Sequence, residues 1–467
     1  NLSQEIVKVD GWLEAVDRLA DGGRTLLGLW ADPPQVKMAL LDEATGAISV
    51  LSYHCRNGQY PTVGVRHPPA VRLERAIRDT HNLDAIGASD TRPWLKHTAA
   101  PYEFLPAEGE ALHQIAVGPV HAGIIEPGHF RFTANGEFLV RLEERLGYVH
   151  RGIEALMAGA DIDKAARLAA RMSGDSTVAY GFAFARAAEM ALKVAAPPRA
   201  IYLRGLMAEL ERLANHFGDI GAICNDASFA LMHAQCGILR ELTLRAAEAS
   251  FGHRLMMDII VPGGVARDIA ANGETHLRAL LTEVRRTFPQ LVKLYDTTAS
   301  LQDRTVTTGI VKPDYARQFG AGGFVGRASG RDFDSRRLPG YAPYDALTFD
   351  VPVLTAGDVN ARVWIRIREV EQSLLLIEQM LDALPEGDIA VPLPTGGGEG
   401  LALCEAFRGD VLVWLRLDES GHVARCHLRD ASWFQWPLLE AAVEGNIVAD
   451  FPLCNKSFNC SYAGHDL

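Results

Sequence analysis

"ELERLANHFGDIGAICND" occupies residues 209–226 and supports two readings. Leu210, Leu213 and Phe217 recur at helical spacing and form an apolar stripe. Glu211, Asn215 and Asp219 recur opposite that stripe, and His216 and Asp226 add further polar groups. Either one face of the helix is solvated, or the helix is buried and its polar groups need partners. The second reading would make this a protein whose helical core carries charge.

Working outward, the helical period continues on both sides. It predicts helices over 161–194, 199–224, 227–255, 273–302 and 359–383. Before them, "HQIAVGPVHAGIIEPGHFRFTANGEFLVRLEERLGYVHRGIEALM" (113–157) reads as a β-hairpin with an Asn135-Gly136 turn, running on into a helix. After them, "LPEGDIAVPLPTGGGEGL" (384–401) reads as a loop. "DVLVWLRLDESGHVARCHLRD" (410–430) reads as a hairpin around Ser420-Gly421. The first hundred residues differ. "RTLLGLWAD", "VKMALLD" and "AISVLSYHC" read as strands, and "PPAVRLERAIRDTHNL" (68–83) as a helix entered through Pro69. The fold class is therefore α+β. A small N-terminal α+β domain (1–110) precedes a mainly helical domain (111–467) with β-hairpins at its ends.

Composition excludes several classes. The 467 residues carry a net charge of −12 with acids and bases interspersed, so no basic arm for nucleic acid is present. No window approaches eighteen uninterrupted apolar residues, and the start, "NLSQEIVKVDGW", lacks the apolar run of a signal peptide. The seven cysteines form no C-x-x-C, which reads as reduced thiols. "GAGGFVG" (320–326) has Val325 where the third glycine of a dinucleotide fingerprint belongs. Neither it nor "PTGGGEG" (394–400) has the lysine of a P-loop, so both read as turn glycine. In "HRGIE" (150–154), Arg151 and Glu154 lie one helical turn apart, either as a surface ion pair or facing one cavity.

The motifs add up in a fixed order: "GPVHAGIIEPGHFRF", "YVHRGIE", "ELERLANHFGDIGAICND", "PGGVARD" (262–268), "GRASGRDFDSR" (326–336), "YDALTFDVPVLTAGDVNARVWIRIREVEQS" and "DFPLCNKSF". Together they resemble the large subunit of group 4 membrane-bound [NiFe] hydrogenases of the formate-hydrogenlyase type, and the related 49-kDa-type, quinone-site subunit of respiratory complex I. The N-terminal segment is similar to the 30-kDa-type subunit of complex I through "RLERAIRDTHNLDAIG" and "DTRPWLKH". The resemblance spans nearly the whole chain.

The resemblance implies four thiolates holding nickel and iron, and soft thiolates suit such a centre. The ligand positions here fall on Ala169 and Met172, or in a gapped alternative on Ser173 and Ser176, and on Ser461 and Gly464. Cys460 sits one position early and Cys454 lies outside the motif. The expectation is that this chain binds no metal and no cofactor of its own, and that "NCSYAGHDL" (459–467) is the closing strand of an emptied cavity. A zinc site on Cys454, Cys460 and His465 would lack a fourth ligand. The quinone-binding histidine and tyrosine of complex I fall near Ile125 and on Ala170, with His121 and His129 flanking the first. The acidic partner of that histidine matches at Asp226, and the Arg-Gly-x-Glu of the pocket at Arg151 and Glu154.

By resemblance, Glu154, Asp226 and Arg151 are the candidates for proton or charge coupling. His121, Ala169, Met172, Ser461 and Gly464 line the former metal or quinone cavity. The implied setting is a peripheral arm on the cytoplasmic side of the inner membrane. An iron–sulfur cluster would sit in a small partner subunit, antiporter-like subunits would form the membrane arm, and a quinone is a candidate ligand. Four functions remain open: a redox subunit using a quinone or another acceptor than hydrogen, a non-catalytic coupling scaffold, an NAD(P)H-quinone oxidoreductase subunit, and, least favoured, an active hydrogenase.

Overall fold

Apolar runs with no polar alternation form the strands of the N-terminal sheet, because both faces of that sheet are covered. The computed structural model describes residues 2–97, 101–121 and 125–467. In chain order, β1 (Leu2–Val7) is followed by helix α1 (Val9–Ala20) and then by β2 (Thr25–Asp32), β3 (Gln35–Asp42) and β4 (Ala47–His54). These strands lie in the order β1-β4-β3-β2, with β1 parallel to β4 and the rest antiparallel. The short strand β5 (Gln59–Pro61), helix α2 (Val71–His81) and β6 (Asp84–Ile86) complete the segment. One face of the sheet buries Leu26, Leu29, Met38 and Leu40 in the same core as Trp12, Val16 and Leu19 of α1. The other face, with Leu27, Trp30, Ala39, Leu41 and Val50, packs on a second sheet near the C-terminus.

The expected hairpin is β8 (His129–Asn135) with β9 (Phe138–Arg145), and β7 (Leu112–Val117) adds a third strand to it. Gly136 takes φ +59° in the turn, a conformation glycine adopts without strain. Short α3 (Ile153–Met157) and α4 (Ile162–Ala169) lead to α5 (Thr177–Leu192), α6 (Pro198–Asp226) and α7 (Ala230–Phe251). The helix expected over 161–194 is thus two helices. Residues 170–176 leave the helix, and Gly174, Asp175 and Ser176 are poor helix formers there.

A two-stranded ribbon, β10 (Ile260–Val261) with β11 (Gly264–Val265), precedes α8 (Gly273–Thr297), α9 (Ala299–Thr305), α10 (Pro313–Gln318), α11 (Gly323–Ala328) and α12 (Val359–Asp382). Helix α6 runs through the middle of this bundle against α7 and α12. Its residues Leu203, Leu206, Leu210, Leu213 and Phe217 are fully buried.

The last sheet is β12 (Gly398–Ala406), β13 (Gly409–Leu417) and β14 (Val423–Arg429), all antiparallel. Here the loop expected over 384–401 runs into a strand at its end, so "GGGEG" is not plain turn glycine. A Cβ on Gly398 would lie 2.2 Å from the Ala191 carbonyl oxygen of α5, and one on Gly400 1.9 Å from that of Ala187. The glycines let β12 lie directly on the helix backbone. Helices α13 (Ser432–Ala442), α14 (Phe451–Phe458) and α15 (Tyr462–Asp466) end the described chain. In place of the closing strand expected over 459–467, α14 ends just before that segment and the short helix α15 occupies it. Asn459 at φ +47° ends the first, and Ser461 caps the second by accepting from Gly464 N.

Gly400→Ala is expected to destabilise the protein by about 1–3 kcal/mol or more, because its Cβ meets backbone that cannot move aside. A urea denaturation series checks this. A surface alanine such as Gly237→Ala, which meets nothing within 4 Å, serves as the control.

Candidate functional site

The break between α4 and α5 and the cap of α15 meet inside the protein. Ser173 Oγ lies 2.9 Å from Ser461 Oγ and donates to Asp175 Oδ1 at 2.7 Å. Ala169, Met172, Ser173, Ser461 and Gly464 are all buried. A Cβ on Gly464 would lie 2.7 Å from Asp430 Oδ2 and 3.0 Å from Ser461 Oγ, so no larger residue fits there without rearrangement. The positions assigned by resemblance to two halves of a ligand set are brought together, through the gapped pairing at Ser173.

Around this contact the polar groups are closely paired. Arg408, from the turn between β12 and β13, reaches Asp175 Oδ2 at 2.6 Å and donates to the Asn459 carbonyl. Burial opposes ionisation of Asp175, but Arg408 and the hydroxyl of Ser173 hold its carboxyl below the ordinary range. Tyr180 donates to Asp430 Oδ2 at 2.7 Å, Ser432 N to Asp430 Oδ1 at 2.8 Å, and Ser461 N to Ser432 Oγ at 2.8 Å. Asn459 donates to Asp219 Oδ1 at 2.8 Å, and Arg366 holds Asp219 Oδ2 at 3.0 Å. Hydroxyls, carboxylates and guanidinium groups are hard donors or cations, and a nickel–iron centre is held by soft thiolates. The residues present do not fit that centre. Cys454 and Cys460 are buried and unpaired. His465 offers nothing to zinc either: its Nδ1 lies 2.8 Å from Asp466 Oδ1 and its Nε2 accepts from Trp94 Nε1 at 3.3 Å. Among the described residues no cluster of His, Cys, Asp or Glu could hold a metal ion.

Glu154, Asp226 and Arg151 are not gathered into one site. Glu154 lies under β14, where Oε1 accepts from Leu428 N and meets His427 Nδ1, both at 2.9 Å, and Oε2 pairs with Arg425 at 2.8 Å. Burial opposes its charge, but Arg425, then His427 and the Leu428 amide, hold its carboxyl far below the ordinary 4.5. Arg151 does not face Glu154. It is exposed and donates to the carbonyls of Arg171 at 2.9 Å and Met172 at 2.6 Å. One turn of spacing put the two on a common face, but Gly152 at φ +66° turns the chain between them, since the helix starts only at Ile153. Asp226, half-buried at the end of α6, is raised by burial and partly offset by Lys456. His121 Nε2 lies 2.9 Å from the Gly128 carbonyl. Its loop is tied to the tail through Glu126, which accepts from Ala463 N at 3.0 Å, and Gly128 packs against Tyr462. Residues 122–124, within "GPVHAGIIEPGHFRF", lie outside the described residues.

Sequence reasoning missed Arg408, Tyr180 and Asp430, which carry no local motif, and it left Asp175 and Glu211 without a role. Glu211 alone had a signal, as an acid recurring on a helix rich in buried polar groups.

Residues 227–396 match the family model described as the respiratory-chain NADH dehydrogenase 49 Kd subunit. The chain is 31% identical to formate hydrogenlyase subunit 5 of Escherichia coli, over 87% of this chain and 77% of that protein. It is 30% identical to hydrogenase-4 component G of the same organism, over 98% and 84%. Against an NADH-quinone oxidoreductase subunit of Syntrophobacter fumaroxidans it is 30% identical, over 75% and 95%. Among solved structures, a chain of the archaeal membrane-bound sulfane sulfur reductase superposes with a TM-score of 0.72 at 25% identity, covering 77% of this chain and 99% of that one.

Two outcomes test this geometry. Ser173→Cys combined with Ser461→Cys is expected to form a disulfide under mild oxidation, since the oxygens already touch, and a peptide map detects the 173–461 link. Glu154→Gln leaves the largely buried Arg425 without its counter-charge, an expected loss of up to about 3–5 kcal/mol near neutral pH. Because the folded carboxyl is depressed, the stability it contributes is present above 4.5 and disappears as pH falls through the folded value. The gap between wild type and variant in urea is therefore expected to narrow in acid.

Proposed function

The chain belongs to the family of large subunits shared by group 4 membrane-bound hydrogenases and the 49-kDa subunit of respiratory complex I, and from that membership we propose that it is the charge-coupling large subunit of a membrane-associated oxidoreductase complex without a nickel–iron centre. Electrons would pass from an iron–sulfur cluster in a small partner subunit to an acceptor other than hydrogen, a quinone being the candidate. The reaction would drive ion movement through antiporter-like membrane subunits. The subunit would sit at the periphery of that complex, on the cytoplasmic side of the inner membrane. None of the described helices is long and apolar enough to cross a membrane.

The observation that carries this reading is the Ser173–Ser461 contact with its Asp175–Arg408 pair. It puts hydroxyls and an ion pair where soft ligands would be needed. The structural neighbour supports it too: the same fold serves, in that protein, a complex named for sulfane sulfur reduction. In such a site the protein's own part is electrostatic. A change of charge nearby is met by fixed guanidinium groups and by carboxylates whose proton affinity follows that charge.

A second reading, a coupling scaffold without its own turnover, is favoured by one feature. The contact region is filled by side chains hydrogen-bonded to one another. The two readings part in one experiment on the assembled complex reconstituted in vesicles. The expected result is electron transfer to a quinone with formation of an ion gradient and no hydrogen evolution. Arg408→Met is expected to cut that turnover at least about tenfold, or 1.4 kcal/mol of barrier, while the subunits stay assembled. Unchanged turnover in Arg408→Met would leave only the scaffold, and hydrogen evolution at a rate matching electron input would overturn both readings.

A further inference from the structure

Two of the four acids along α6 have ion-pair partners. Glu209 pairs with Arg212 at 3.2 Å and Arg336 at 3.0 Å, and Asp219 pairs with Arg366 at 3.0 Å. Glu211 differs. It is 8% exposed, and its oxygens are held by backbone amides at the start of α5, Val178 N at 2.7 Å and Ala179 N at 3.1 Å. Among the described residues no cationic side chain forms an ion pair with it. Beside it lies a cavity of about 180 Å³, lined among others by Asp175, Asn215, Arg240, Arg254 and Met256. That volume has room for several waters. The cavity reaches the surface where Arg240 and Arg254 are exposed.

We propose that Glu211 is a proton-holding group, a neutral carboxyl that shares a solvent-reaching cavity with Asp175 of the Ser173–Ser461–Asp175 cluster and gives or takes a proton through it. Asn215 ties the two sides, donating from Nδ2 to the Asp175 carbonyl at 2.8 Å and to the Glu211 carbonyl at 2.9 Å. No bond other than O–H is made or broken: the proton moves between a carboxyl oxygen and cavity water. The charged groups facing Glu211 are Asp175 of the α4–α5 break with its partner Arg408 from the β12–β13 turn, Arg212 on α6 itself, Arg240 on α7, and Arg254 beyond it. Burial pushes the Glu211 carboxyl up to about 8, the two amides oppose this, Asp175 adds to it, and Arg212 subtracts. Glu211 is therefore poised to respond near neutrality. Added negative charge in the cluster tightens its hold on the proton, and added positive charge releases it.

The use of such a group in coupling rests on the function proposed above. Its protonation does not, so the two can fail separately. In infrared difference spectra of the purified complex, wild type minus Glu211→Gln is expected to show the carbonyl stretch of a protonated carboxyl at neutral pH. The band should vanish with a midpoint near 8. Asp175→Asn is expected to move that midpoint down. Linkage gives a second readout on the same proteins. An acid raised from 4.5 to about 8 on folding makes the fold lose stability as pH rises across that window, because the unfolded chain releases the proton first. Wild type is thus expected to lose more melting temperature than Glu211→Gln over that range. If Gln fails to fold, Glu211→Asp keeps a titratable group and is expected to retain the band at a shifted midpoint. A wild-type protein with no such band at neutral pH, or a midpoint unmoved in Asp175→Asn, overturns the proposal, whatever the complex proves to oxidise or reduce.

Discussion

Charges taken out of water must be paired by the fold that buries them, and the arrangement of the helical core follows from that requirement. Arg212, Arg327, Arg336 and Arg366 are all at most 2% exposed. Glu369 on α12 takes Arg327 at 2.8 Å and His216 at 2.7 Å, and Arg327 also holds Glu405 of β12 at 2.8 Å. Glu209 on α6 takes Arg336, Arg212, the hydroxyl of Tyr344 at 2.7 Å and that of Ser373 at 2.6 Å. Apart from Arg212 and His216, which lie on α6 itself, the partners come from other elements, so a shift of α6 by one turn would strand several charges at once. Such a lattice adds little net stability compared with apolar packing, but breaking any one pair leaves a buried charge without compensation.

The same rule extends to the candidate site. Arg366 fixes Asp219, Asp219 fixes Asn459, the Asn459 carbonyl receives Arg408, and Arg408 fixes Asp175 beside Ser173 and Ser461. The contact at the centre of the functional account is thus the end of a chain of hydrogen bonds that begins in the core. A change of charge at that end has polar groups through which to act. Glu211 stands beside this chain with two backbone amides, rather than an ion pair, holding its oxygens.

The elements with strong periodicity were readable in advance. The apolar stripe of α6, the strands β2 to β4 and the turn at Asn135-Gly136 all announce themselves within a few residues. The polar groups of 209–226 turned out mostly buried and paired, a point the pattern alone left open. What the sequence concealed is distant in the chain. Asp219 meets Arg366 across 147 positions and Ser173 meets Ser461 across 288. No local spacing reports such a pairing. Three differences have local causes. The glycine run at 396–400 signals a turn by propensity, but Gly398 and Gly400 permit close packing on α5, and the strand expected at the tail gives way to the cap of Ser461. The spacing that joins Arg151 to Glu154 is interrupted by Gly152.

On this reading, hydroxyls and an ion pair take the place of metal-binding thiolates. Elemental analysis of the assembled complex tests it most directly, with iron counted against the clusters of the partner subunits and nickel against this chain. Nickel is expected far below one atom per chain, unchanged when nickel is supplied in excess during growth. One nickel per chain, retained through purification, would contradict it.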